Sequence, residues 1–115
     1  MKDWFYDAFL KQVNLQERVK GVLVDGELPD PVDMYGAATG MMIEIGEMLQ
    51  CDTRWKKYVT GSLKEPVVNL EQFKEELADV FIYLLNTAIY AGISIDDFEH
   101  AVNKKQGIVN KRFSE

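Results

Sequence analysis

The stretch NLEQFKEELADVFIYLLNTAIYAG, residues 69–92, decides the fold. Within it Phe73, Leu77, Val80, Phe81, Leu84, Leu85 and Ala88 recur at spacings of three and four, the period of one broad apolar helix face. Asn69 followed by Gln72 has the pattern of a capping box, and Gly92 suits a C-terminal cap. The reading is a single helix of about 22 residues.

Working outward, a second helix is expected from Asp30-Pro31, a capping residue and a first-turn proline, to about Gln50. Gly36, Gly40 and Gly46 lower its intrinsic propensity but leave a strip where another helix or a ligand can approach closely, so packing must hold it. A first helix is expected from Asp3 to Val19, with Trp4, Ala8, Leu15 and Val19 toward the core. A last helix opens at Ser94-Ile95-Asp96-Asp97, another capping-box pattern. The expectation is an all-α, four-helix bundle forming one domain over residues 1–115. Residues 20–29 and 52–68 are then the main connections, and the second, with Gly61 and Pro66, is of a length that more often carries function. No internal repeat or low-complexity tract interrupts the pattern.

The composition agrees with one soluble core: 115 residues, 47% of them apolar. No apolar run approaches the roughly 20 residues of a membrane span, and Met1-Lys2-Asp3-Trp4 carries acid where a signal peptide carries a basic region. A cytoplasmic protein is expected. The single cysteine, Cys51, has no partner for an internal disulfide and lacks the spacing of a zinc site, so it reads as a free thiol in a reducing compartment. A net charge of -6 argues against general nucleic-acid binding, because phosphate backbones are held by clustered Lys and Arg. An acidic pocket can still hold a triphosphate when divalent cations bridge the two sets of negative charge.

Two pairs of acids stand apart. Glu44 and Glu47 are three residues apart in the segment 42–49, and Glu76 and Asp79 are three apart in the segment 75–81. That spacing places each pair on one helix face, about one turn apart, where two carboxylates can serve one cation. Both pairs also interrupt apolar sequence. Asp79 lies among Leu77, Ala78, Val80 and Phe81, where an ionised carboxylate is costly without a compensating cation or donor. The bland alternative is a solvated helix face balanced by Lys74. Hard oxygen ligands without histidine or thiolate point to magnesium, with manganese as the other candidate.

The arrangement Glu44-x-x-Glu47, a spacer, then Glu76-x-x-Asp79 resembles the metal motif of the all-alpha NTP pyrophosphatase superfamily, which contains the MazG-type enzymes and the dimeric dUTPases. The segment Glu44-Ile45-Gly46-Glu47-Met48-Leu49 is similar to the first half of that motif in the dimeric dUTPases. Trp55-Lys56-Lys57-Tyr58 resembles their aromatic and basic segment, and Glu75-Glu76-Leu77-Ala78-Asp79-Val80 the second half. The resemblance spans about residues 3 to 113. Three departures are visible: Ile43 stands where MazG-type sequences usually carry an extra acid, the spacer between the two pairs is on the long side for MazG, and the chain is shorter than typical dimeric dUTPases.

The resemblance implies a MazG-like or dimeric dUTPase-like bundle that holds magnesium on Glu44, Glu47, Glu76 and Asp79. It implies hydrolysis of a nucleoside triphosphate to the monophosphate and pyrophosphate, with dUTP favoured and a broader MazG-like range next. Glu47 is the expected base that assists the attacking water, with Glu44 beside it. Lys105, Asn110 and Arg112 resemble the late cluster that meets the triphosphate, although cations near a helix C-terminus also complement its dipole. Trp55 and Tyr58, with Lys56 and Lys57 between them, are candidates to stack a base and steer phosphates. Asn86, two turns beyond Asp79, either hydrogen-bonds the nucleotide or bridges helices. Gln12, Asn14 and Gln16 are weaker candidates for base contact, and His100, the one histidine, is expected to be structural.

Two other classes compete. A di-iron carboxylate bundle asks for Glu-x-x-His pairs, and neither pair here has one. A helical interaction module without catalysis would leave the acids merely solvated. The cluster of Trp4, Phe5, Tyr6 and Phe9 exceeds what one small core can cover, so a homodimer or homotetramer is expected.

Overall fold

The computed structural model describes residues 2–20 and 31–113, and five helices account for most of them: α1 Lys2–Lys20, α2 Pro31–Cys51, α3 Trp55–Thr60, α4 Leu70–Tyr90 and α5 Ile95–Phe113. Residues 21–30, which hold most of the first expected connection and the Asp30 cap, lie outside the described residues, as does the side chain of Val19. The all-α expectation therefore holds, with one helix more than the four anticipated. The extra element is α3, a short helix set inside the 52–68 connection and ended by Gly61 at a φ of 69°, a left-handed conformation that suits glycine.

The caps of α4 and α5 follow from their sequences. Asn69 sits in extended conformation and its side-chain oxygen accepts from the backbone N–H of Gln72 at 3.1 Å, satisfying one orphan donor of the first turn. At the other end the N–H of Gly92 bonds to the carbonyl of Ile89 and that of Ile93 to the carbonyl of Ala88, both at 3.0 Å. This double bond pattern is a Schellman motif, and it needs the φ of 76° that Gly92 supplies. Ser94 then caps α5 by accepting from the Asp97 N–H at 3.1 Å.

The principal packing is α2 along α4, and α1 also packs on α4. Phe9, Leu85, Ala88 and Ile89 form the buried cluster, with Phe5, Ala8, Val13, Phe81, Ile95 and Phe98 packed around it. The buried face of α1 thus runs through Phe5, Phe9 and Val13, rather than through Trp4 and Leu15 as expected. Trp4 instead stacks on Phe81 at the rim, ring centroids 5.5 Å apart, and stays 63% exposed. The physical reason is stacking at the other end of the ring set: Phe5 lies against Phe98 of α5 at 5.7 Å, which turns that side of α1 inward. No single helix among the described residues is long and apolar enough to cross a membrane.

Only one of the three α2 glycines is used for close approach. A Cβ at Gly40 would overlap the ring of Tyr83 on α4, whereas nothing lies within 4 Å of one at Gly36 or Gly46. Gly40→Ala should therefore destabilise the fold by about 1–3 kcal/mol through overpacking. Gly36→Ala and Gly46→Ala should instead stabilise it by roughly 0.5–1 kcal/mol, the ordinary gain for alanine over glycine in a helix. Thermal melts of the three variants check this ordering, and a Gly40→Ala protein as stable as the other two would contradict the contact.

Candidate metal centre

The α2–α4 contact brings acids of the two expected pairs together. Glu44 and Glu47 from α2 and Glu76 from α4 each place a carboxylate oxygen so that all three lie within 4.8 Å of one another. Helical spacing explains it. Glu44 and Glu47 point from successive turns of α2 toward the helix that Gly40 and Tyr83 draw close, and Glu76 lies two turns before Tyr83 on the matching face of α4.

Partial burial sharpens the electrostatics. One oxygen of Glu44 and one of Glu76 (Oε2 in each) are shielded from solvent with no hydrogen-bond partner. Burial, the adjoining carboxyls of Glu76 and Glu47 and the negative charge of Asp79 push the Glu44 carboxyl up from its ordinary 4.5 to about 7. Without a counter-charge the cluster is therefore a proton trap. Asp79 stands outside the triad and is exposed, near enough to act on Glu44 through its charge.

Around the carboxylates is a cleft of about 330 Å³ lined by Glu47, Gln50, Cys51, Val67, Asn69, Gln72 and Glu76. Cys51 is buried, and burial followed by the charges of Glu76 and Glu47 raises its thiol pKa, so it stays neutral. The 52–68 segment is tied across this cleft. Asn69 N–H donates to the carbonyl of Cys51 at 2.7 Å, Thr53 N–H to that of Val67 at 2.9 Å, and Val67 N–H to the Thr53 hydroxyl at 2.8 Å. The result is a fixed neck that joins the end of α2 to the start of α4.

Of the remaining sequence candidates, Trp55, Lys56 and Tyr58 lie on α3 beside this neck. The Trp55 indole N–H donates to the carbonyl of Leu49 at 2.8 Å and Lys56 Nζ sits 5.7 Å from the ring centroid, so this ring anchors α3. Tyr58 is the open ring, 85% exposed. Asn86 accepts from Gln16 of α1 at 3.4 Å, and Gln16 in turn accepts from the Tyr90 hydroxyl, so Asn86 and Gln16 belong to a bridge between helices. Gln12 has a shielded amide oxygen without a partner. Lys105, Asn110 and Arg112 lie on the part of α5 where every described residue from His100 onward is exposed, and none of them lines the cleft at the carboxylates.

Sequence reading did not single out Asp52, Arg54 and Lys64. Asp52 accepts from both the backbone and the guanidinium of Arg54, which holds its carboxyl below the usual range. A usable signal was present: from Thr53 to Lys64 there are four cations and no acid, in a chain of net charge -6.

No family model matches the chain, and neither a curated protein nor a solved structure matches it.

Proposed function

We propose that this protein is a divalent-cation-dependent nucleoside triphosphate pyrophosphohydrolase, most simply of the MazG-like or dimeric dUTPase-like kind that its motif resembles. The observation that carries the reading is the convergence of Glu44, Glu47 and Glu76 oxygens within 4.8 Å on two adjoining helices, with two of them shielded and unpartnered. Unpartnered carboxylate oxygens that repel each other are the donor set a hard cation fits. The residues that would hold it are Glu44, Glu47 and Glu76, with Asp79 at the edge. Magnesium, or manganese in its place, supplies neutralisation of phosphate charge and polarisation of water when bound.

The chain's own groups supply the rest. Glu47 lines the cleft from its exposed side and is the group to accept a proton from water as the water oxygen bonds to the α-phosphorus. The bond from that phosphorus to its bridging oxygen breaks, and pyrophosphate leaves with the monophosphate as the other product. The fixed neck over residues 51–69 keeps the cleft shape constant, which favours orientation of the substrate over its capture by a mobile loop. dUTP is the favoured substrate, with other (d)NTPs next. Pyrophosphate release from a panel of ribo- and deoxynucleoside triphosphates, with and without magnesium, tests the reading. Absence of magnesium-dependent release from every member would sink it in favour of a non-catalytic helical module.

The proposed enzyme works as a homodimer or larger homo-oligomer. Its radius of gyration, 17.4 Å, exceeds the about 13 Å of a compact chain of this length. Ile95, Phe98, Val102, Val109 and Phe113 form one stripe of α5; the first two are seated on the core, while the last three are 40%, 40% and 84% exposed. A groove of about 350 Å³ lined by Phe5, Phe81, Leu84, Phe98 and Val102 continues that stripe. A second copy seated there would cover both, and its Lys105, Asn110 and Arg112 would be available to a carboxylate site that the same chain leaves them away from. Val109→Asp/Phe113→Asp should shift the assembly to monomers in light scattering and lower activity; a monomeric wild-type protein with full turnover would refute the assembly.

A further inference from the structure

Beside the carboxylate cleft lies a second hollow of about 550 Å³, enclosed by α3 and the turn that follows it. Its walls carry Arg54, Lys56, Lys57 and Lys64, against a single acid, Glu65. Gln50 and Val67 line both spaces, so the two adjoin at these side chains. Four of the thirteen Lys and Arg residues of an acidic protein are thus gathered at one wall of its most acidic cluster.

These cations are not equivalent. Arg54 is bound to Asp52 and Lys56 rests over the Trp55 ring. Lys57 and Lys64 make no ion pair among the described residues. They reach the hollow from different elements, Lys57 from α3 and Lys64 from the turn beyond Gly61. A neutral base gains nothing from two unpaired ammonium groups. An anion that extends from the carboxylate cleft gains charge-assisted hydrogen bonds from both.

We infer that this hollow is a polyphosphate subsite: Lys57 and Lys64 hold the terminal phosphates of the substrate while its reacting phosphate lies at the carboxylates. The inference rests on the hydrolase reading for the identity of the substrate, but the anion site itself does not. The site sets the length of phosphate chain accepted. A triphosphate spans from the acidic cleft to the lysines, a monophosphate does not, and so the product dissociates more readily than the substrate. Tyr58 and Ser62, also in the lining, are the neutral donors nearest these groups in sequence.

The test is calorimetric titration of the intact protein with inorganic tripolyphosphate in the presence of magnesium. Wild-type protein should bind it, and Lys57→Ala/Lys64→Ala should bind at least about tenfold more weakly, as expected for loss of two hydrogen bonds to charged groups. Lys11→Ala/Lys74→Ala, which removes the same charge from the α1–α4 side, should change affinity by no more than about twofold. In turnover of a nucleoside triphosphate the Lys57/Lys64 variant should show a raised KM with kcat little changed. Undiminished tripolyphosphate binding by that variant overturns the assignment, as does a variant that keeps tripolyphosphate but loses nucleoside affinity. If nucleotide is hydrolysed yet tripolyphosphate does not bind, the subsite is wrong and the hydrolase reading stands. If tripolyphosphate binds through these lysines and no nucleotide is hydrolysed, the subsite stands and the hydrolase reading falls.

Discussion

Glu44→Gln is expected to lower magnesium-dependent pyrophosphate release by at least about 100-fold, the scale seen when one preorganised group that stabilises transition-state charge is removed. It should also raise the melting temperature of the metal-free protein above pH 7. Both effects have one cause. Glu44 is half-buried beside Glu76 and faces the charges of Glu47 and Asp79. An amide keeps the shape but removes the charge that repels its neighbours and would attract a cation. Asp79→Asn tests the fourth acid, which lies outside the triad: it should weaken magnesium affinity with a smaller gain in stability. Enzyme assays and melting curves in chelator decide the matter. Wild-type turnover in Glu44→Gln would remove the carboxylates from the mechanism.

The second large effect is on the pH dependence of stability. In the unfolded chain Glu44 titrates near its ordinary 4.5, and in the folded cluster near 7. Folding therefore takes up a proton between those values, and the contribution of this group is fully present below pH 4.5 and lost as pH rises through 7. Metal-free protein should accordingly melt at a lower temperature at pH 8 than at pH 5.5. Magnesium should reverse the trend at pH 8, because a cation that binds only the folded, ionised cluster stabilises it by mass action. The ion must displace the proton, so its affinity should fall as pH drops below 7. Melting curves at the two pH values, with chelator and with millimolar magnesium, check the sign. A metal-free protein more stable at pH 8, or one indifferent to magnesium there, would speak against the cluster as described.

Much of this was legible in the residues themselves. The period of Phe73, Val80, Phe81, Leu85 and Ala88, the Asn69 cap and Gly92 place α4 almost to the residue, because each is a local matter of hydrogen bonds and backbone sterics. The Glu44/Glu47 and Glu76/Asp79 spacings likewise put each pair on one face before anything was known of packing. Acids that interrupt apolar sequence on two helices raised the expectation of a shared cation, though not which of the four would meet.

What the residues could not decide was which neighbour each face would meet. Trp4 and Leu15 have the same apolar character as Phe5 and Phe9, and only the stacking of Phe5 on Phe98 of α5 turns α1 so that Trp4 is left at the rim. Gly36, Gly40 and Gly46 are alike in sequence, yet only Gly40 faces Tyr83. The length of 52–68 suggested a loop, while its backbone bonds and the Trp55 anchor make it a fixed wall bearing a short helix. Local sequence determined the helices, their caps and the placement of acids on them, because those depend on neighbours within about four residues. Tertiary structure alone decided that Glu44, Glu47 and Glu76 converge, that Asp79 stands aside, and that Asn86 turns to Gln16, because those depend on the rotation and closeness of helices distant in sequence.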